Sequence, residues 1–234
     1  MQTRTDDEVV AQEGEAEKGL VIERRFTTAG ADPFDAFDWI EMSVEIRNPD
    51  GSLAHEIHGV QLPSGFAGVP GKVCAQKYLR KAGVPAALRK VAEDGVPGWL
   101  QRSEPDHEKL QTLAPEDRFV GETDGRELFR RLAGTWTYWG WTHGYFASEA
   151  DARAFYDEMA YLIASQRSAP NSPQWFNTGL NWAYGITGPA QGHHYVDAVT
   201  GELNLSEDAY THPQPHACFI QSVGDSLVGG TESI

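Results

Sequence analysis

Cysteine is almost missing from this sequence: among 234 residues only Cys74 and Cys218 carry thiols, 144 positions apart. Such a pair makes no disulfide framework, and no CxxC pattern is present to suggest a zinc ribbon or a redox dithiol. Any thiol chemistry here needs other parts or another chain. Positive charge is scarce as well. Nineteen Lys and Arg stand against 34 Asp and Glu, a formal net charge of -15, which would repel a polynucleotide or an anionic membrane at long range. A small anion gripped by backbone N–H groups and hydroxyls stays open. No run of apolar residues is long enough to span a bilayer, and the opening MQTRTDDEVV is acidic where a secretion signal would be basic and then apolar. A cytoplasmic protein with no membrane or polynucleotide partner is predicted.

Hydrophobic residues make up 40% of the chain, enough for a sizeable core in one or two domains. Residues 1–19 hold Asp6, Asp7, Glu8, Glu13, Glu15 and Glu17 with almost no large apolar side chains, which predicts a solvated, disordered tail. WIEMSVEIR and SLAHEIHGV flank NPDG, where Pro49 suits a turn corner and Gly51 can take positive φ; a β-hairpin is predicted. GKVCAQKYLRKAGVP reads as a helix stopped by Gly83 and Pro85, with Lys72, Lys77, Arg80 and Lys81 on a solvated face and Cys74 as a small buried hydrophobe.

APEDRFVGET is a polar connection to a helix through GRELFRRLAG. Six aromatics then fall in the eleven residues from Trp136 to Phe146; at this net charge they suit a bundle core or a docking surface better than a base-stacking platform. SEADARAFYDEMAYLIASQR is the plainest helix, with Ser148 as N-cap, Glu149 and Asp151 in the first turn and Arg167 in the last. Its apolar stripe is Ala152, Phe155, Met159 and Leu162, ending in Gln166, and Pro170 closes it.

From Ser168 to Asp197, SAPNSPQWFNTGLNWAYGITGPAQGHHYVD carries neither a helical nor a strand period. Loops of this length in compact domains are functional or disordered, and Trp175, Phe176, Trp182 and Tyr184 argue against disorder. Ser172 sits between Asn171 and Pro173 in a turn whose hydroxyl and N–H groups suit a phosphate or another oxyanion. Taken alone, a Ser-Pro turn is more often structural.

Longer strings narrow the choice. APNSPQWFNTGL, WAYGI, GPAQGH, YVD and PQPHACFIQSV, with AQKYLRKAGVPA, PEDRFVGETDGRELFRRLAGTWTYWGW and SEADARAFYDEMAYLIASQR upstream, closely resemble the N-terminal third of the class II, adenosylcobalamin-dependent ribonucleotide reductases. The resemblance covers residues 20–230 and is loosest from Ile40 to Gly71. It implies an α+β fold: a mostly helical N-terminal domain with a small β-hairpin, residues 20–168, then a substrate-site loop and the start of a ten-stranded α/β barrel, residues 169–234, with ACFIQSV as the first strand.

The same resemblance implies that Ser172 contacts the substrate phosphate or its surroundings, and that Ala217 and Cys218 line the substrate site. Cys218 would be one of two thiols oxidised as the ribose is reduced. In the family, homolysis of the cofactor's cobalt–carbon bond leads to a cysteine thiyl that abstracts the 3′-hydrogen, the 2′-hydroxyl leaves as water, and a dithiol supplies two electrons. A strand under Cys218 would fix its direction, which matters because small misplacements of a reacting group cost orders of magnitude in rate. Asn177, Gln191 and the aromatics would hold the loop at the barrel entrance. The implied company is a ribonucleotide, a diphosphate by likeness to the longer bacterial enzymes; adenosylcobalamin; a thioredoxin-like reductant; the remainder of the reductase, in the same or a separate chain; and a second copy, as a homodimer when complete.

Two other readings stay open. His193, His194, Asp197, His212, His216 and Cys218 fall within 26 residues and could form a zinc site, although Pro213 and Pro215 forbid the helix that would give His212 and His216 a common face. The chain could also be a non-catalytic subunit or fragment. The family's thiyl cysteine, second reducing cysteine and acidic proton-transfer partner have no counterparts here, and one barrel strand leaves an unpaired edge. The isolated 234 residues are expected to be inactive.

Overall fold

A computed structural model of the chain describes residues 19–47 and 49–218. The acidic tail predicted for residues 1–19, Gly19 apart, and the ACFIQSV strand beyond Cys218 lie outside the described residues. Strands β1 (Trp39–Arg47) and β2 (Leu53–Pro63) pair antiparallel, with Trp39 opposite Pro63 and Met42 opposite Val60. The hairpin turns as expected: Gly51 has φ +84°, and Asp50 accepts hydrogen bonds from the Ser52 N–H and hydroxyl. Alternation buries Val44, Val60 and Leu62 on one face.

The following helix is shorter than its sequence predicts. α1 (Val69–Val73) runs into a π-turn over Cys74–Tyr78, closed by the Leu79 N–H on the Cys74 carbonyl at 3.1 Å, and Leu79 is already extended. A competing partner ends it: the Arg80 N–H donates to the Glu122 carboxylate at 2.7 Å, and the Glu122 N–H returns to the Arg80 carbonyl at 2.7 Å. Arg80 and Lys81 therefore lie beyond the helix. Three two-residue or three-residue strands follow, β3 (Val84–Pro85), β4 (Leu88–Lys90) and β5 (Ser103–Pro105). After α2 (His107–Thr112), the polar connection contains β6 (Phe119–Val120), which pairs with β3, while β4 pairs with β5.

α3 (Gly125–Thr142) and α4 (Glu149–Ala164) form the centre. α3 is capped by Asp124 and runs unbroken through the aromatic stretch, burying Leu128, Phe129 and Leu132 against Phe34, Leu62 and Phe66. α4 is capped by Ser148 as predicted. Its buried side differs: Phe155, Met159 and Leu162 are half-buried and Gln166 is exposed, whereas Ala152, Ala154, Asp157, Glu158, Ala160 and Ile163 are buried. Alanines let neighbours approach closely, and the N-terminal segment lays its polar backbone over the acids. Glu158 accepts from the Phe26 and Thr27 N–H groups and the Thr27 hydroxyl, and Arg24 pairs with Asp157 at 2.7 Å. The helix ends at Ala164, so Arg167 is past its last turn and stacks over the Phe26 ring instead.

The stretch read as one irregular loop contains two short helices, α5 (Ser172–Asn177) and α6 (Leu180–Tyr184), and then a hairpin of β7 (His194–Val196) and β8 (Leu203–Leu205). Neither helix completes two turns, too short for a period to register. Asn171 caps α5, with Pro173 in its first turn. α3 and α6 are in close contact: a Cβ on Gly134 would overlap the Trp182 ring. Gly134→Ala is therefore expected to cost about 1–3 kcal/mol, as overpacking does; an unmoved midpoint in urea unfolding would show that the indole has room to shift. No described helix is long and apolar enough to cross a membrane.

Candidate functional site

Ser172 opens α5 on the surface, and its hydroxyl lies 3.3 Å from the Tyr78 hydroxyl at the end of the π-turn. The Tyr78 ring stacks on Trp175, with centroids 5.1 Å apart, and tilts against Phe176. Trp175 is itself pinned by its indole N–H on the Pro170 carbonyl. Two hydroxyls are thus held side by side on an aromatic base.

Beneath them lies a buried charge pair. The Arg131 guanidinium, 1% exposed, donates from Nε to Glu122 at 2.8 Å, from Nη1 to the Thr178 carbonyl at 2.7 Å and from Nη2 to the Trp175 carbonyl at 2.9 Å and the Tyr78 carbonyl at 3.2 Å. One side chain therefore joins the end of the π-turn to the end of α5, whose last carbonyls need external donors. Gly179 follows at φ +87°, where a Cβ would strike the Arg131 carbonyl, so only glycine fits this turn. Glu122 also accepts from the Tyr184 hydroxyl at 2.7 Å. Burial, and then the neighbouring Glu122 charge, push the Tyr184 phenol far above its ordinary value. Nothing in the composition or motifs singled out Arg131 or Glu122; only the spacing of Arg131 from Leu128, Leu132 and Thr135, on one helical face, could have done so.

The remaining predicted residues divide. The Asn177 amide donates to the Gln214 carbonyl at 3.3 Å, tying α5 to the segment that leads to Ala217 and Cys218. Gln191, expected to help hold the loop, is exposed and makes no hydrogen bond among the described residues. Ala217 and Cys218 are exposed, and Cys218 is a free thiol. Cys74 is buried as expected, and burial, with Glu122 adding, pushes its thiol up to about 12. Such a group is no nucleophile at neutral pH.

The histidines do not gather. His193 is buried with Nε2 2.5 Å from the His212 carbonyl, the His212 ring stacks on Tyr195, and His194 and His216 are exposed. Burial lowers the His212 pKa, Asp208 and Asp197 offsetting part of that and His193 adding to it. Asp197 is occupied by the Val199 and Thr200 N–H groups. Among the described residues no three His, Cys, Asp or Glu are grouped to hold a metal ion, so the zinc alternative has no assembled site there. The buried His193 Nδ1 lacks a hydrogen-bond partner, but one isolated nitrogen does not make a corrinoid site. The described residues do not fit that cofactor.

A cavity of about 860 Å³ lies elsewhere, lined by Leu20, Trp136, Trp139, Tyr145, Tyr195 and Val196 among others. The aromatic stretch of α3 thus presents part of itself as an open surface.

The Tyr78 and Ser172 hydroxyls, side by side near the buried Arg131–Glu122 pair, do not by themselves define an activity. The sequence model of the class II vitamin B12-dependent ribonucleotide reductases matches residues 40–166, more than half of the chain. The chain belongs to that family. It is 57% identical over 207 residues to a vitamin B12-dependent ribonucleotide reductase from Bradyrhizobium diazoefficiens and 56% identical over 207 residues to one from Agrobacterium fabrum, each alignment covering 88% of this chain and 16% of the relative. A reductase of the same name from Streptomyces avermitilis is 32% identical over 218 residues, 92% of this chain and 16% of the relative. The chain therefore spans only 16% of the length of these relatives. The family match takes in the hairpin, where resemblance was loosest, and stops short of Ser172 and Cys218.

Proposed function

We propose that this chain is the N-terminal part of an adenosylcobalamin-dependent reductase of ribonucleoside diphosphates, with Ser172 at the substrate phosphate and Ala217 and Cys218 lining the substrate site. The supporting observation is the Asn177–Gln214 hydrogen bond, which ties the helix that starts at Ser172 to a point four residues before Cys218. One nucleotide could then meet a hydroxyl at its phosphate end and a thiol at its sugar. The 2′-hydroxyl departs as water, and the two electrons required come from Cys218 and a second thiol, which finish as a disulfide that a thioredoxin-like reductant reopens. That second thiol belongs to the remainder of the reductase, since Cys74 is buried and its pKa raised to about 12. Radical initiation would fall to the remainder of the reductase, where the corrinoid would be held. ACFIQSV, as first strand of a ten-stranded barrel completed by that remainder, would fix the thiol's direction, and the isolated chain would be inactive.

Ser172→Ala in the complete reductase tests the phosphate role. A hydrogen bond to a charged group contributes about 1.5–3 kcal/mol, so KM for a ribonucleoside diphosphate should rise about tenfold or more, with kcat nearly unchanged. An unchanged KM removes Ser172 from the site.

A further inference from the structure

Beside the hydroxyl pair, a second pocket of about 320 Å³ is bounded by Lys77, Tyr78, Arg80, Lys81, Arg131 and Phe176. It shares Tyr78 with Ser172. Its charge runs against the rest of a chain at -15. Several cations elsewhere face carboxylates, as Arg89, Arg102, Lys109, Arg126 and Arg130 do. Among the described residues Lys77, Arg80 and Lys81 make no ion pair; the Arg80 guanidinium donates to the Ala82 carbonyl and lies 5.9 Å from the centre of the Tyr210 ring. Glu122, which accepts from the Arg80 N–H, also serves Arg131 and Tyr184.

The backbone that carries Arg80 and Lys81 is also held in place. The backbone of Arg80 is bonded in both directions to Glu122, and Gly121 packs so closely under the Arg80 and Lys81 carbonyls that a Cβ would lie 2.7 Å from the latter. Three like charges within five residues repel one another, and holding them on a rigid loop without counter-charges is unfavourable until an anion arrives. Lysine suits phosphate as a compact point charge, hydroxyls add donors, and the exposed Phe176 ring offers a flat apolar wall for a base or ribose.

We propose that this pocket binds a phosphate group of a nucleotide through Lys77, Arg80 and Lys81, with Phe176 against the rest of the ligand. The phosphate has two sources: the substrate itself, extending from Ser172, or a second nucleotide bound apart from it. Only the first rests on the proposed role of Ser172.

The test uses the complete reductase carrying Lys77→Gln and Lys81→Gln together. Both side chains are exposed, so the thermal midpoint should stay within a degree or two of the parent, which is checked first. If the substrate is the source, KM for the diphosphate and the inhibition constant of pyrophosphate each rise about tenfold and the salt dependence of KM flattens, with kcat retained. If a second nucleotide is the source, KM stays constant and binding of a non-substrate nucleoside triphosphate, measured by equilibrium dialysis, weakens about tenfold. Unchanged KM and unchanged triphosphate binding overturn the proposal, as does a fall in melting midpoint with both binding constants intact, which would mean that the lysines seat another part of the polypeptide. A KM effect in Ser172→Ala with neither KM nor triphosphate binding changed in the lysine variant rejects this inference alone; a KM effect in the lysine variant without one in Ser172→Ala rejects the role of Ser172 alone.

Discussion

Cys218→Ser in the complete reductase should reduce multiple-turnover deoxynucleotide formation to background while radical initiation persists. A hydroxyl keeps the size and the weak hydrogen bonding of the thiol but cannot be oxidised to a disulfide, so the two electrons for the sugar have no source on this side. Binding should survive, because serine removes no charge and little volume. The measurement is product formed over many turnovers with a thioredoxin-type reductant, alongside the paramagnetic signal of initiation. Undiminished turnover would assign the dithiol elsewhere and leave Cys218, exposed on this chain, without a chemical role.

Arg131→Met carries the largest expected effect on stability. Removing one partner of a buried pair strands the other, and Glu122, fully buried beside Tyr184, would have to remain charged without its counter-ion or take up a proton. Such losses run to about 3–5 kcal/mol, a large part of the roughly 5–15 kcal/mol that holds a domain folded. The carbonyls of Tyr78, Trp175 and Thr178 would lose their donor in the same step. Adding Glu122→Gln should recover part of the loss, because the stranded charge disappears while the amide can still meet the Tyr184 hydroxyl. Urea unfolding of the single and double variants measures both terms. A single-variant loss below about 1 kcal/mol would show that water reaches the site and that the pair is not a structural anchor.

How far the sequence disclosed this structure follows from how far each determinant sits from its effect along the chain. NPDG fixes the hairpin locally, and Ser148 with Asp151 fixes the start of α4 locally, so both are legible. The end of α1 is set by Glu122, over forty residues away, and no local stop signal marks Leu79. The buried side of α4 follows from backbone N–H groups at Phe26 and Thr27 that need an acceptor, so polar residues occupy positions a hydrophobic stripe would not predict. Arg130 and Arg131 are neighbours of identical type, yet one pairs with Asp32 at the surface and the other is buried; only the phase of α3 separates them. Ser172 and Cys218 stood out through the long strings around them, because the chemistry they imply leaves no pattern in composition.

The π-turn at Cys74–Tyr78 makes chain length, rather than residue type, the quantity to which this surface is most sensitive. Each residue in a helix turns the next by about 100°, and a π-turn is an α-turn with one residue more. Losing a single residue there would let the segment wind as an ordinary helix and swing Lys77 and Tyr78 by about that angle, taking the phenol off Trp175 and the ammonium off the rim shared with Lys81. Many substitutions along 74–78 would preserve that phase. A one-residue gap in a relative would not, and a homologue with such a gap should have its hydroxyl pair and its cationic rim on different sides of the molecule.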